Sequence, residues 1–188
     1  EDRVYVVYVS PLRALNNDIE KNLRAPLAGL RAAAAEEGLK LPEVRVAVRT
    51  GDTLAAARQA MTRRPPHILI TTPESLYILL TSERFRPALA HARYLIIDEV
   101  HALMGNKRGV HLALSLERLQ ALVEAREPGS RPQRIGCSAT VNPVEDALAF
   151  LTGTTARDAV AVAAGFSRDL DLQVLAPVDA FLTHSSEP

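Results

Sequence analysis

Two adjacent carboxylates carry the clearest chemical signal in the sequence. Asp98 and Glu99 directly follow the apolar run Tyr94 to Ile97, so a buried strand would deliver both acids to its end. In nucleotide hydrolysis, one such carboxylate holds Mg²⁺, usually through water, and the next orients or deprotonates the attacking water. The same pair could instead cap a loop or the N-terminus of the following helix.

Four other predicted strand ends carry small or polar residues of the kind that contacts ligands. In an open parallel sheet, ligands bind at the carboxyl ends of the strands. We therefore expect these residues to share one rim of the sheet with the two acids. The four segments are Ser10-Pro11, Thr50-Gly51-Asp52, Thr71-Thr72-Pro73-Glu74 and Ser138-Ala139-Thr140.

The elements that must position this rim alternate between strand and helix patterns. Strands that are apolar throughout are buried on both faces of a sheet. The alternation therefore predicts an α/β fold with a parallel sheet flanked by helices on both faces. Pro26 lies inside the first helical pattern and predicts a break there, with a second helix starting at the proline. Strands are predicted at 4–9, 44–48, 68–70, 94–97 and 134–137, and helices over 12–38, 53–61, 74–80, 109–127 and 143–151.

The pattern changes after Gly153, which suggests a domain boundary. Residues 1–153 are expected to form one partial domain. Residues 154–188 are expected to hold a last strand, a linker and the start of a second domain or a disordered tail. Within them, 160–162 and 170–174 have strand-like patterns. The first residues lack a starting methionine and run directly into a strand, so we expect further sequence upstream.

Composition limits the possible classes of protein. Apolar types make up 47% and charged types 23%, as in an average soluble domain. The 22 basic and 22 acidic residues cancel, so a nucleic-acid partner must be met by a local patch. Cys137 is the one cysteine, which excludes an internal disulfide, indicates a reducing cytoplasmic compartment and is expected to be a packed core thiol. No apolar run approaches the roughly 18 residues of a membrane helix.

The order and spacing of these segments resemble the motifs of superfamily 2 helicases of the DEAD/DEAH-box type. Ser10 to Leu15 is similar to motif Ia, and Arg49 to Thr53 and Thr72 to Leu76 are similar to the nucleic-acid-contacting motifs that follow it. Asp98 to His101 is similar to motif II, and Ser138 to Thr140 to motif III. Residues 98–119 are especially similar to the large helicase-related (Lhr) proteins. The resemblance implies a RecA-like first motor domain with the P-loop NTPase fold, incomplete at its N-terminus.

The resemblance also implies roles for individual residues in a reaction that uses ATP and Mg²⁺. Asp98 would bind the Mg²⁺ of MgATP through water, and Glu99 would position the hydrolytic water. His101 would couple the nucleotide site to the third motif. There, hydrolysis would be linked to strand movement through Ser138, Ala139 and Thr140.

A track for a single nucleic-acid strand is implied as well. Small hydroxyl residues at strand ends allow backbone N–H groups to reach phosphate oxygens without reading sequence. Thr72 and Pro73 could equally serve as the N-cap and first turn of a helix, and Arg13 and Arg49 could simply be solvated. The implied track residues are Ser10, Pro11, Arg13, Ala14, Thr50, Gly51, Thr72, Pro73 and Glu74.

The sequence departs from the family pattern in one respect. The phosphate-binding Walker A loop, G-x-x-x-x-G-K-[ST], does not occur, because none of Lys21, Lys40 and Lys107 follows a glycine. We therefore predict a fragment of an ATP-dependent DNA helicase or translocase that lacks the Walker A segment and the second RecA-like domain, and is inactive alone. Its partner would be single-stranded or partly duplex nucleic acid, DNA rather than RNA. The alternatives are a non-enzymatic single-strand-binding module and an unrelated α/β enzyme.

Overall fold

A five-stranded parallel sheet organises the chain. The computed structural model describes residues 2–139, 141–153 and 158–162, and at 13–15 and 17 it describes the backbone alone. The strand order is β2-β3-β1-β4-β5, and every pairing is parallel. This confirms the predicted fold class. The strands are β1 (Val6–Val9), β2 (Val46–Arg49), β3 (Ile68–Thr71), β4 (Tyr94–Ile97) and β5 (Gln133–Gly136).

Helices connect the strands close to where the apolar periodicity places them. The clearest starts have caps: Thr72 accepts a hydrogen bond from the N–H of Ser75, and Asn106 accepts one from the N–H of Gly109. The helices are α1 (Arg13–Glu36), α2 (Ala55–Arg63), α3 (Pro73–Thr81), α4 (Arg86–Leu89), α5 (Val100–Leu103), α6 (Lys107–Arg126) and α7 (Val144–Thr152).

The predicted break at Pro26 is wrong, because α1 continues through the proline to Glu36. A proline inside a helix removes the hydrogen bond to the carbonyl four residues earlier, here that of Asn22. Both Asn22 and Pro26 are exposed. Water can therefore solvate the free carbonyl, and the turns on either side keep the helix intact.

The two faces of the sheet are covered unequally. The chain moves across the sheet in opposite directions from β1 to β2 and from β4 to β5, so right-handed crossovers place α1 and α6 on opposite faces. The core lies on the α6 side, where strand residues such as Val7, Leu69 and Leu95 are fully buried. On the other face, α1 packs against β2 and β3. Beyond α1, Tyr94 keeps 44% of its surface exposed and Ile135 36%.

Two further predictions fail at the C-terminal end of the domain. Cys137 is exposed rather than packed in the core, because it follows β5, an edge strand that pairs with β4 alone among the described strands. Val160 to Val162 form no strand, and both valines are more than four-fifths exposed. The pattern at 170–174 lies outside the described residues. No helix in the described part of the chain has the length and apolar character needed to cross a bilayer.

Candidate functional site

The strand ends meet on one rim of the sheet. The parallel register aligns Arg49, Thr71, Val9, Ile97 and Gly136 in a single row across the five strands. Hydrogen bonding continues one residue further, where the N–H of Ser10 donates to Thr71, that of Asp98 to Val9 and that of Cys137 to Ile97. The residues that follow the strands therefore start from fixed backbone positions.

Asp98 is held by two donors before any ligand binds. Its Oδ2 accepts the hydroxyl of Tyr8 over 2.8 Å, and its Oδ1 accepts the N–H of Glu99 over 2.9 Å. Burial, followed by the hydrogen bond and charge of Asp98, raises the pKa of Tyr8 above its ordinary range. The tyrosine therefore remains a neutral donor, and the orientation of the carboxylate is fixed by the fold.

Glu99 adopts a backbone conformation that a non-glycine residue rarely takes. Its φ of 51° and ψ of 47° lie in the left-handed region. The N–H of Val100, the next residue, donates to the carbonyl of Cys137 over 3.1 Å and pins the turn to the end of β5. Glu99 occupies the N-cap position of α5, but its side chain makes no capping hydrogen bond. The side chain of Glu99 therefore does not cap α5, and the alternative that the acid pair serves as a helix cap does not hold for this residue.

His101 lies between the second acid and the segment after β5. Its Nε2 is 3.3 Å from Oε2 of Glu99, and its Nδ1 is 2.8 Å from Oγ of Ser138. The imidazole thus contacts both segments that the sequence singled out, 37 residues apart. Ala139 is exposed next to Ser138, and Thr140 lies outside the described residues.

Most side chains of the implied strand track are buried. Ser10 is fully buried, and its hydroxyl has no hydrogen-bond partner among the described residues. Thr72 is buried as the cap of α3, with Pro73 in the first turn, as the helix-start interpretation predicted. Pro11 and Thr50 are buried as well, whereas Gly51 and Glu74 are exposed. Arg13 and Ala14 begin α1, and their side chains lie outside the description.

The loop after β2 is held by arginines. Arg49 keeps only 7% of its surface exposed, so the alternative of a simply solvated side chain does not hold for Arg49. Burial first, and then the charge of Arg58, lower the pKa of Arg49 from its ordinary value. Arg58 donates to the carbonyl of Thr53 and to that of Gly51, each over 2.7 Å. The exposed turn at Gly51 therefore has a fixed shape.

Arg108 connects three segments of the rim. It donates to the carbonyl of Pro11 over 2.9 Å and makes two hydrogen bonds to the carboxylate of Glu74, one of them over 3.2 Å. The hydrogen bond from Arg108 is the main reason that the pKa of Glu74 falls to about 2. The exposed carboxylate of the track is thus already paired within the chain.

Comparison with known proteins identifies the family of the chain. The family model for the DEAD/DEAH box helicase matches residues 1–147. This chain belongs to the DEAD/DEAH box helicases. It is 50% identical over its whole length to the ATP-dependent helicase Lhr-Core of Methanocaldococcus jannaschii, and it spans 21% of that protein. The expected resemblance to the Lhr proteins is therefore confirmed.

Solved helicase structures share the fold. The structure of Mycobacterium smegmatis helicase Lhr bound to ssDNA and AMP-PNP superposes with a TM-score of 0.76 and 50% identity, over 82% of this chain and 19% of that one. The DUF1998 helicase MrfA bound to DNA and AMPPNP superposes with a TM-score of 0.62 and 28% identity, over 79% of this chain and 19% of that one. This helicase chain thus corresponds to about one-fifth of its relatives.

Sequence reasoning missed three residues of the candidate site. Tyr8 and Arg108 each contact a segment far away in the chain, 90 residues for Tyr8 and Asp98 and 34 for Arg108 and Glu74. Arg58 contacts a loop five to seven residues before it. For Tyr8, the one indication in the sequence was a hydroxyl-bearing side chain near the end of the apolar run that forms the central strand. For Arg108, the signal was its place beside the glycine that opens the long helical pattern.

Within the described residues, no group of three or more His, Cys, Asp or Glu side chains could hold a metal ion. Mg²⁺ is usually bound through one or two carboxylates together with substrate phosphates and waters. The pair Asp98 and Glu99 fits that limited role for the protein. The donor set is therefore suited to a magnesium ion that arrives with a nucleotide.

Proposed function

We propose that the chain is part of the first motor domain of an ATP-dependent DNA helicase or translocase. The observation that carries the proposal is the position of His101 between Glu99 and Ser138, beside an Asp98 that is already oriented. A bound Mg²⁺ would neutralise charge on the nucleotide phosphates. Asp98 would hold that ion through water, Glu99 would orient the attacking water, and His101 would couple Glu99 to Ser138, with which it is in contact.

The other wall of the nucleotide site comes from outside these 188 residues. The Walker A pattern does not occur in the sequence, and relatives of similar sequence are about five times longer. The sheet face that carries Tyr8 and Asp98 is open beyond α1, which leaves room for a phosphate-binding segment and its helix. A second RecA-like domain would supply the remaining charge. The chain alone therefore does not hydrolyse ATP.

A single DNA strand passes along the part of the rim formed by the ends of β1, β2 and β3. Because the hydroxyl side chains there are buried, backbone groups at the exposed turn of Gly51 and the start of α3 make the phosphate contacts. Two similar helicase structures hold DNA together with an ATP analogue, which supports DNA as the partner. A reducing, cytoplasmic compartment fits the unpaired Cys137.

The second candidate is a binding module that holds single strands without using nucleotide. The buried, preformed loops of the strand rim favour it, since they need no other domain to keep their shape. The zero net charge argues for weak binding in either case.

Fluorescence anisotropy of a labelled 12-nucleotide strand, at low and high salt, separates the two candidates. Strand affinity that is unaffected by MgATP in a longer protein containing this domain supports the binding module. Affinity that changes with MgATP, and loses that change in Glu99→Gln, supports the motor.

A further inference from the structure

The first turn of α6 reaches back to the strand rim through one side chain. Arg108, the second residue of α6, bonds both oxygens of Glu74 and the carbonyl oxygen of Pro11. Glu74 lies in the first turn of α3, and Pro11 lies in the loop after β1. A planar guanidinium with two bonds to one carboxylate has a fixed orientation. The contact therefore joins the starts of two helices to the loop after the central strand.

The start of α6 is in turn tightly joined to the loop of Asp98 and Glu99, called the acid loop below. Residues 104–106, between α5 and α6, form the bend that is called the elbow. Asn106 caps α6 through Oδ1, which accepts from Gly109 over 3.0 Å, while its Nδ2 donates to the carbonyl of Ala102 in α5 over 2.9 Å. A Cβ on Gly109 would overlap the carbonyl of Leu103, so the two helices touch through their backbones. Since α5 begins directly after Glu99, this elbow leaves little freedom between Glu99 and Arg108.

We propose that Arg108 is a positioning residue that keeps the strand rim in a fixed relation to the acid pair. It holds the loop at Pro11 and the first turn of α3 against the elbow that carries Glu99. This connection runs from Glu99 to the track along the backbone of α5 and through Arg108, and it does not use the side-chain contacts of His101 with Glu99 and Ser138. The inference rests on the proposed function, because it assigns the rim to a nucleic-acid strand.

The ion pair of Arg108 and Glu74 is too exposed to contribute much to global stability, so its expected effect is on the local order of the segments that it joins. The side chains of Arg108 and Glu74 are 41% and 51% exposed, and ion pairs of that kind contribute little to the free energy of unfolding. Removing Arg108 should therefore leave the fold intact and loosen the segments that it joins. A direct phosphate ligand would behave differently, because Glu74 would then compete with the strand for the guanidinium.

Hydrogen exchange of backbone amides tests the positioning role without a nucleic acid. In Arg108→Ala, the amides of Ser10, Ser75 and Leu76 should exchange about fivefold faster, the factor that corresponds to about 1 kcal/mol of local stability. Arg126→Ala is the matched control, since it removes the same charge from the far end of α6, where Arg126 pairs with neighbouring Glu127. Exchange at the three amides that is unchanged in Arg108→Ala overturns the proposal.

Strand binding provides the second arm, measured by anisotropy with a labelled 12-nucleotide DNA at low salt. Positioning predicts that Arg108→Ala and Glu74→Gln each weaken binding about fivefold, the factor for about 1 kcal/mol, and that Arg126→Ala has a smaller effect. Tighter binding in Glu74→Gln, with weaker binding in Arg108→Ala, would make Arg108 a direct phosphate ligand and overturn the proposal. If the wild-type chain binds no strand, the strand-binding part of the proposed function fails, and the exchange result still decides the role of Arg108.

Discussion

The hydroxyl of Tyr8 donates to Oδ2 of Asp98 over 2.8 Å, across 90 residues of sequence. Tyr8 lies in β1 and Asp98 directly follows the neighbouring strand β4, at the ends that form the rim. Because the other carboxylate oxygen accepts the N–H of Glu99, both oxygens of Asp98 have fixed partners. The acid that we assign to Mg²⁺ is thus oriented by the central strand.

Tyr8→Phe should lower the free energy of unfolding by about 1 kcal/mol, because it removes one hydrogen bond to a partly buried carboxylate and little else. Urea unfolding followed by circular dichroism measures the change. Tyr5→Phe is the matched control on the same segment, since the hydroxyl of Tyr5 makes no hydrogen bond to the described residues. Equal stability of Tyr8→Phe and the wild type would show that the hydrogen bond does not form in solution.

Gly109→Ala should destabilise the chain by about 2 kcal/mol or more, because the added Cβ meets the rigid backbone of Leu103. Gly29→Ala serves as its counterpart: Gly29 lies in the exposed middle of α1 with nothing within 4 Å of a Cβ. There the same change should stabilise the chain by about 0.5–1 kcal/mol. Thermal melts should therefore show a lower melting temperature for Gly109→Ala and a higher one for Gly29→Ala, and equal shifts in the two variants would contradict the close contact between α5 and α6.

The ion pair of Glu74 and Arg108 should produce a defined pH dependence. Arg108 holds the folded-state pKa of Glu74 at about 2, below its ordinary 4.5. A depressed pKa stabilises the fold above pH 4.5 and loses that effect as the pH falls from 4.5 to 2. Because the pair is exposed, the effect is small. The melting temperature of the wild type should therefore exceed that of Glu74→Gln slightly at neutral pH, and the difference should shrink through that window.

A variant without the arginine provides the control for this pH dependence. In an Arg108→Ala background, Glu74→Gln should no longer produce a difference that changes between pH 4.5 and 2. If the melting temperatures with and without Glu74→Gln still differ by an amount that changes between pH 4.5 and 2 in that background, a group other than Arg108 lowers the pKa of Glu74.

The isolated chain should self-associate as its concentration rises. The edge of β5 is unpaired within the described residues, and the sheet face beside it exposes Tyr94 and Ile135. Ile135→Lys should reduce association measured by light scattering, because it places a charge on that edge strand. Leu30→Lys, on the outer surface of α1, should have no such effect. Monodisperse, cooperatively melting wild-type material would contradict this prediction.

Local patterns were sufficient to predict the sheet and most helices. The apolar run at 94–97 gave the bounds of β4, and the hydroxyl and proline before α3 gave its cap and first turn. The apolar pattern did not predict the structure at two places. Pro26 was tolerated because the affected carbonyl faces water. The short apolar triplet at 160–162 pairs with none of the strands in the described part of the chain.

The sequence identified candidate site residues by type and order, but it did not predict the contacts between them. Asp98, Glu99, His101 and Ser138 were identified from their positions at strand ends and from the resemblance to helicase motifs. The left-handed turn at Glu99 and the partners Tyr8 and Arg108 depend on pairs distant in sequence, which no local period encodes. The sequence wrongly predicted a buried Cys137. Its exposure depends on the position of β5 at the edge of the sheet, and strand order cannot be deduced from a local pattern.

ATP turnover tests most directly whether Asp98 and Glu99 form one wall of a nucleotide site that another segment completes. The purified 188-residue chain and its Glu99→Gln variant are compared with saturating MgATP and single-stranded DNA. We predict that the two rates are equal and indistinguishable from the rate without protein. Turnover by the wild-type chain that Glu99→Gln abolishes would contradict this account, because the chain would then hold the phosphates without the missing wall.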